Sequence, residues 1–347
     1  MKIEHLILCG GGPLIFSYIG LFRRLKEKNV FDIDKIKTIY SVSAGSLMAI
    51  LLMLKVDFEM LEKYFIDRPW HREFTFSPQM FIDLIQNKGM IDGNKMMTIV
   101  LKNLLESVNL SVDSTLKDLY DLSKIDFHSF SVNINNFSIV NISHKTHPDF
   151  RIIDVAHMSC AVPFIISPFK LNEQYYIDGA ILKNYPIDIL LQEQEDCEKE
   201  HILGVRVFNE KEDNPNNSAI NTTEKNNTEK NNTEKNNTEI NTTEINTTEI
   251  NTTEINTTEK NNKTEINEIN QSTTDIYNYI MYYVNYIKKI INQDKKEKII
   301  ENEIHIHGPG TSFETIYNAI NDKEYRKKLL HEGKIYAKVF LKYKNLV

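Results

Sequence analysis

The chain has 347 residues, 41% of them hydrophobic and 26% charged, and carries a formal net charge of −7. That length buries a sizeable core in one large or two smaller α/β domains, and the charge balance excludes a nucleic-acid footprint, which needs a strongly basic domain. Three scattered cysteines, Cys9, Cys160 and Cys197, exclude a disulfide framework or zinc knuckle and suit a reducing compartment.

In chain order, residues 4–9 (EHLILC) read as a buried strand, followed by Gly10-Gly11-Gly12 and a helix over about 14–28. A second strand at 36–40 leads into a helix from Ala44 to about Leu54, and helical patterns recur at 58–66, 78–87 and 93–107. Strands are expected at 129–134, 137–143 and 202–208. Alternation of strand and helix is the mark of a parallel α/β sheet. Late in the chain, Ile276, Ile280, Val284, Ile287 and Ile291 recur at helical spacing, and 299–307 alternates as a strand. Tyr325, Leu329, Tyr336, Val339, Phe340 and Tyr343 suggest a long final helix. The stretch 322–347 has eight Lys/Arg against three Asp/Glu, read as a solvated helix face.

Between these parts lies a pentapeptide repeat, and its copies at 222–261 hold eight Glu and four Lys. A period of five gathers an apolar face neither on a helix nor on a strand, so residues 211–272 are expected to be a disordered low-complexity insertion. The segment before the glycines is too short for a signal-peptide core, and no apolar run approaches the roughly 20 residues of a membrane span. A cytoplasmic protein, at most peripheral to membranes, is expected.

Two stretches carry candidate chemistry. In IYSVSAGSLMAIL, residues 39–51, Ser43 stands between a strand and an apolar helix with Ser41 and Gly45 on either side. This is close to the G-x-S-x-G elbow, which exposes a serine nucleophile at a helix N-terminus; taken alone, a polar N-cap explains the pentapeptide better, and the preceding strand, small neighbours and apolar helix are what favour a nucleophile. Gly10, Gly11 and Gly12 let backbone N–H groups approach a ligand, as an oxyanion hole, a phosphate cradle or merely a tight turn. The dinucleotide and Walker patterns both fail there. Of ten histidines, none is singled out as a base: His144 and His147 lie in a polar loop, and His305 and His307 alternate on a strand. A carboxylate acting directly on serine is the other option. In QYYIDGAILKNYPI, residues 174–187, a short β-like run delivers Asp178 into a Gly-Ala turn ahead of Asn184 and Pro186. Cys9 and Cys160, flanking these blocks, read as small buried hydrophobes.

Three blocks in order resemble the patatin-like phospholipases: LILCGGGPLIFSYIGLFRRL, IYSVSAGSLMAIL and IIDVAHMSCAVPFIISPFKLNEQYYIDGAILKNYP. The resemblance implies a three-layer α/β fold with a mainly parallel central sheet and helices on both faces. It implies Ser43 as nucleophile, Asp178 as base, and Gly10, Gly11 and Gly12 as oxyanion donors, with Ser41 and Gly45 forming the elbow. It implies no metal or organic cofactor. The implied substrate is a phospholipid or other acyl-lipid ester at a membrane surface, cleaved as by a phospholipase A or lysophospholipase. Where the family usually has glycine this chain has Ser41, and where it has a basic residue and glycine this chain has Leu14 and Ile15. The expected organisation is a catalytic core at 1–210, the insertion at 211–272, and 273–347 completing the same domain. The competing expectations are a catalytically weakened lipid-binding or regulatory protein on the same fold, and a phosphate-binding protein using the glycines.

Overall fold

The structure, a computed structural model, describes residues 1–209 and 300–346; the low-complexity insertion and the helix expected over 276–291 lie outside the described residues. Among the described residues the strands are β1 His5–Leu8, β2 Thr38–Val42, β3 Gly89–Ile91, β4 Asp126–Asn133, β5 Ser138–Ser143, β6 Phe164–Ile166, β7 Phe169–Leu171, β8 Gln174–Asp178, β9 Ile202–Asn209 and β10 Asn302–Gly308. The helices are α1 Ile15–Glu27, α2 Ala44–Met53, α3 Phe58–Asp67, α4 Trp70–Glu73, α5 Gln79–Asn87, α6 Gly93–Glu106, α7 Leu116–Ser123, α8 Ile152–Cys160, α9 Ile187–Glu193, α10 Phe313–Asn321 and α11 Lys323–Tyr343.

The main sheet runs β10-β9-β1-β2-β4-β8-β7, with β5 also paired to β4. Its first five strands are parallel, and β5, β7 and β8 join antiparallel. The expected α/β architecture is present, with a mainly parallel sheet and helices on both faces. Side chains alternate across it as a twofold period requires. Leu6, Leu8, Ile39, Leu203 and Val205 join a large core shared with α1, α2, α6, α8 and α11. Ile7, Tyr40, Val42, Phe130 and Ile202 pack on the opposite face with Ile187 and Leu190 of α9. Buried on both sides, these strands read as continuous apolar runs. All ten residues of α2 are buried, as expected of a helix that is apolar all round.

Strand β10 lies parallel to β9 from Asn302 to Gly308, so the last described segment extends the sheet. Helix α11 crosses α1 with two glycines at the contact: a Cβ on Gly20 would fall 2.0 Å from the Leu330 carbonyl oxygen, and one on Gly333 would fall 1.9 Å from that of Ser17. The seam therefore runs through Leu329, Leu330, Gly333 and Ala337 rather than through the tyrosine stripe. The expected long final helix is present, with Val339 and Tyr343 on its outer side, 62% and 79% exposed. The basic end of the chain is also not uniformly solvated. Buried Arg326 donates to the carbonyls of Ala319, Ile320 and Ile66, at the ends of α10 and α3, satisfying acceptors that helix geometry leaves open.

The strand pairing brings the two candidate motifs together. Strand β5 takes one edge of β4 from His128 to Asn133. Along the other edge, β2 runs parallel beside Asp126–Phe130, and β8 runs antiparallel beside Ser131–Asn133. The C-terminal ends of β2 and β8 thus meet head-on at the Phe130–Ser131 step, Val42 opposite Phe130 and Asp178 opposite Ser131.

Candidate active site

Ser43 follows β2 and caps α2 with φ 54° and ψ −125°, a left-handed conformation that costs a residue with a side chain on the order of 1–3 kcal/mol. Its surroundings hold it there. The Ser43 N–H donates to Ser159 Oγ at 2.8 Å, and its carbonyl accepts from Ser46 N and Leu47 N at 2.8 and 3.1 Å. Ser159 Oγ in turn donates to the Phe130 carbonyl. Ser46 Oγ lies 3.1 Å from Ser41 Oγ and 3.0 Å from those of Ser159 and Ser129. Ser41 Oγ also donates to the His128 carbonyl. Hydroxyls from β2, α2, β4 and α8 thus form one buried network under the elbow. Ser41 is fully buried in the elbow, with its hydroxyl part of that network. Gly45 is the position without room: an added Cβ would lie 2.3 Å from the Leu8 carbonyl oxygen and 2.6 Å from that of Cys9.

Asp178 ends β8 and is 3% exposed, against 4% for Ser43. Its N–H donates to the Ala161 carbonyl, and its Oδ1 accepts from Ala180 N at 2.8 Å, capping a short 3-10 turn at Gly179–Ile181. Gly179 lets the chain turn beneath β4, since a Cβ would lie 2.4 Å from the Phe130 carbonyl oxygen. Burial pushes the Cys160 thiol well up, the Asp178 charge adds to that, and a hydrogen bond with the Ser43 side chain opposes it, as for an inert packed thiol.

The glycine loop faces the elbow. A Cβ on Gly10 would meet Ser43 Cβ at 2.8 Å and Asn184 Oδ1 at 2.9 Å, so only glycine fits between them. Asn184 grips this peptide at both ends: Gly10 N donates to its Oδ1 at 2.8 Å, and its Nδ2 donates to the Gly10 carbonyl at 3.3 Å. Gly12 has φ +52°, with Thr311 Oγ1 2.7 Å from where its Cβ would be. Leu14 is buried and packs against Gly11 and Gly308.

A cavity of about 130 Å³ opens on Ser43, lined also by Gly12, Ala44, Cys160 and Thr311 and otherwise by apolar side chains. It lies in a seam between two hydrophobic clusters. On one side are core residues such as Phe16, Leu47, Phe65 and Trp70; on the other are Ile91, Val162, Ile165 and Ile166. Among the described residues no histidine lines it. His305 sits by Glu303, and His144 by Asp126.

The fold gathers Ser43, Asp178, Ser41, Gly45 and the three glycines, the residues expected from the sequence, at one end of the sheet. Ser159 and Asn184, to which no role is assigned from the sequence, join them. Ser159 lies inside the third quoted block and Asn184 closes it, so position in a motif was the available signal.

Fold and site together define a three-layer α/β protein with a strained, buried serine at a strand–helix elbow under an apolar cavity. The patatin-like phospholipase family matches residues 6–191, and the chain belongs to that family. A probable lipid hydrolase, 463L, of Invertebrate iridescent virus 6 is 24% identical over 190 residues, 54% of this chain and 63% of that protein. The chain thus covers less than two thirds of that relative. An uncharacterized protein, R571, of Acanthamoeba polyphaga mimivirus is 25% identical over 213 residues, 61% of this chain and 67% of that protein. VipD from Legionella pneumophila shares the fold with a TM-score of 0.51 at 16% identity, over 99% of this chain and 67% of its own. No helix among the described residues is long and apolar enough to cross a membrane.

Proposed function

We propose that this protein is a serine lipid acyl hydrolase of phospholipase A or lysophospholipase type, acting on fatty-acyl esters at a membrane surface from the cytoplasm. In this reading Asp178 accepts the Ser43 hydroxyl proton as Oγ attacks the ester carbonyl. The carbonyl π electrons move onto oxygen, and backbone N–H groups receive the oxyanion. Because the Gly10 N–H is already engaged by Asn184, that role falls to Gly11 and Gly12, which narrows the glycine triplet. Collapse of the tetrahedral intermediate breaks the ester C–O bond, and the proton on Asp178 passes to the departing alcohol. Asp178 then deprotonates a water as it attacks the acyl carbonyl, and when the acyl–Ser43 C–O bond breaks, Asp178 returns that proton to Ser43 Oγ and the fatty acid leaves. This chemistry needs only the chain's own groups and water.

The observation that carries the reading is the conformation of Ser43, held at φ 54° beneath an apolar cavity. A helix cap needs no such strain, whereas a nucleophile presented on a sharp strand-to-helix turn does. The resemblance to a probable lipid hydrolase supports the lipid substrate. The test is fatty-acid release from mixed phospholipid vesicles by wild type, Ser43→Ala and Asp178→Asn. Release by wild type and loss of about a thousand-fold or more in each variant is expected. A folded wild type that releases nothing from phospholipid, lysolipid or short esters would overturn catalysis and leave a lipid-binding protein.

A further inference from the structure

The outer wall of the cavity is a small unit of its own. Among the described residues strand β3 pairs only with β6, in a two-stranded sheet separate from the main one. Helix α5 rests on it through Met80 and Leu84, in the same cluster as the cavity residues Ile91, Val162, Ile165 and Ile166. The unit is tied down at one end: Ser167 N donates to the Ile91 carbonyl, Gly93 N donates to Ser167 Oγ, and His157 Nε2 lies 2.7 Å from the Ser167 carbonyl oxygen.

Its outer face has an unusual composition. Ile85 is 83% exposed, more than any other large hydrophobic among the described residues, and Ile82 is 47% exposed. The two are spaced i,i+3, so they form one stripe on the side of α5 opposite Met80 and Leu84. The helix's single charged residue, Asp83, is half-buried and accepts from Gln79. Lys88, exposed, is the left-handed residue that ends the helix. Lys88 Nζ lies 4.9 Å from the centre of the Tyr175 ring, and Lys170 Nζ lies 5.8 Å from it, with Lys170 also paired to Glu173. Aliphatic side chains bordered by a tyrosine and lysines are suited to the boundary of a bilayer, apolar groups entering the acyl region and cations meeting lipid phosphates.

We infer that α5 docks the protein on a phospholipid surface, with Ile82 and Ile85 entering the lipid and Lys88 and Lys170 facing anionic headgroups. The inference deepens the lipid acyl hydrolase reading and rests on it for the substrate. The opposite face of α5 covers the wall of the cavity that opens on Ser43, so docking here sets the acyl source beside the site.

The test uses full-length Ser43→Ala protein, so that binding is read without turnover. Flotation is measured with phosphatidylcholine vesicles, with and without phosphatidylglycerol. Binding that is stronger with the anionic lipid is expected, falling about ten-fold or more in an Ile82→Asp/Ile85→Asp variant. As a second readout, a polarity-sensitive dye is attached at Ile85→Cys or Val339→Cys in a Cys197→Ser background. A blue shift with vesicles at 85 and none at 339 is expected. Equal flotation of the double variant, no flotation of the parent, or a shift only at 339 would each overturn the inference. Light scattering covers another occupant: a dimer that becomes monomeric in the double variant would assign the face to a second copy and overturn the lipid assignment. Turnover of a soluble short-chain ester by wild type, run separately, reports on the hydrolase reading itself.

Discussion

The cavity has two walls made in different ways. On one side the elbow is gripped by the hydroxyls of Ser41, Ser46, Ser129 and Ser159, and its glycines leave no space for a Cβ. On the other side the α5–β3–β6 unit rests on a small cluster of Met and Ile side chains and turns isoleucines outward. Hydrogen bonds and backbone contacts are directional and fix atoms to a fraction of an ångström, as a reacting group requires. Apolar contacts are non-directional and tolerate sliding, as a wall that must accept flexible chains requires.

Disruption of the directional wall should have the largest effects. After loss of Ser43 or Asp178, the greatest is expected for Gly45→Ala, whose new methyl meets two carbonyl oxygens of the β1 end. A loss of about 3 kcal/mol in unfolding free energy is expected, read by urea denaturation. Leu84→Ala, in the half-buried face of α5, should lower it by only about 1 kcal/mol.

Asn184→Ala frees the Gly10 peptide and should lower kcat about ten-fold or more with little change in KM, because binding in the apolar cavity is untouched. Asn184→Asp keeps an acceptor for Gly10 N–H but loses the donor to its carbonyl, so it should fall between. A proportional rise in KM instead would place Asn184 in substrate binding.

Ser43 offers a finer comparison. Ser43→Gly relieves the left-handed strain that Ser43→Ala retains, so both inactive variants should differ in stability by about 1 kcal/mol in favour of glycine. Thermal melts at one pH decide this.

The smallest effect concerns the anchor of the outer wall. Burial lowers the pKa of His157 from 6.5, keeping the folded imidazole neutral. The unfolded chain therefore binds the extra proton first as pH falls, so the contribution of His157 is present above about pH 6.5 and is lost below it. His5, His144 and His147 are lowered in the same way by burial. A His157→Gln variant should thus lose only part of the drop in melting temperature between about pH 7 and pH 5.5.

Much of this was legible in the chain itself. Strands β1, β2 and β9 and helices α1, α2 and α6 follow from local apolar patterning, which depends only on neighbours in sequence. So does the meeting of small residues at Ser43 and Asp178, since tight turns need them wherever they occur. The long final helix was legible from its apolar spacing, but not its seam, because Gly20 and Gly333 allow a close crossing that draws the contact to Leu329, Leu330, Gly333 and Ala337.

The sequence by itself determined the α/β alternation, the elbow, and the turn that ends in Asp178, because periodicity and steric size act over a few residues. Only the tertiary structure decided that β2 and β8 end against each other on one edge of β4, that Ser159 and Asn184 hold the elbow and the glycine loop, and that α5 carries bare isoleucines over the cavity. Those facts arise from contacts between residues far apart in the chain, and no local preference specifies them.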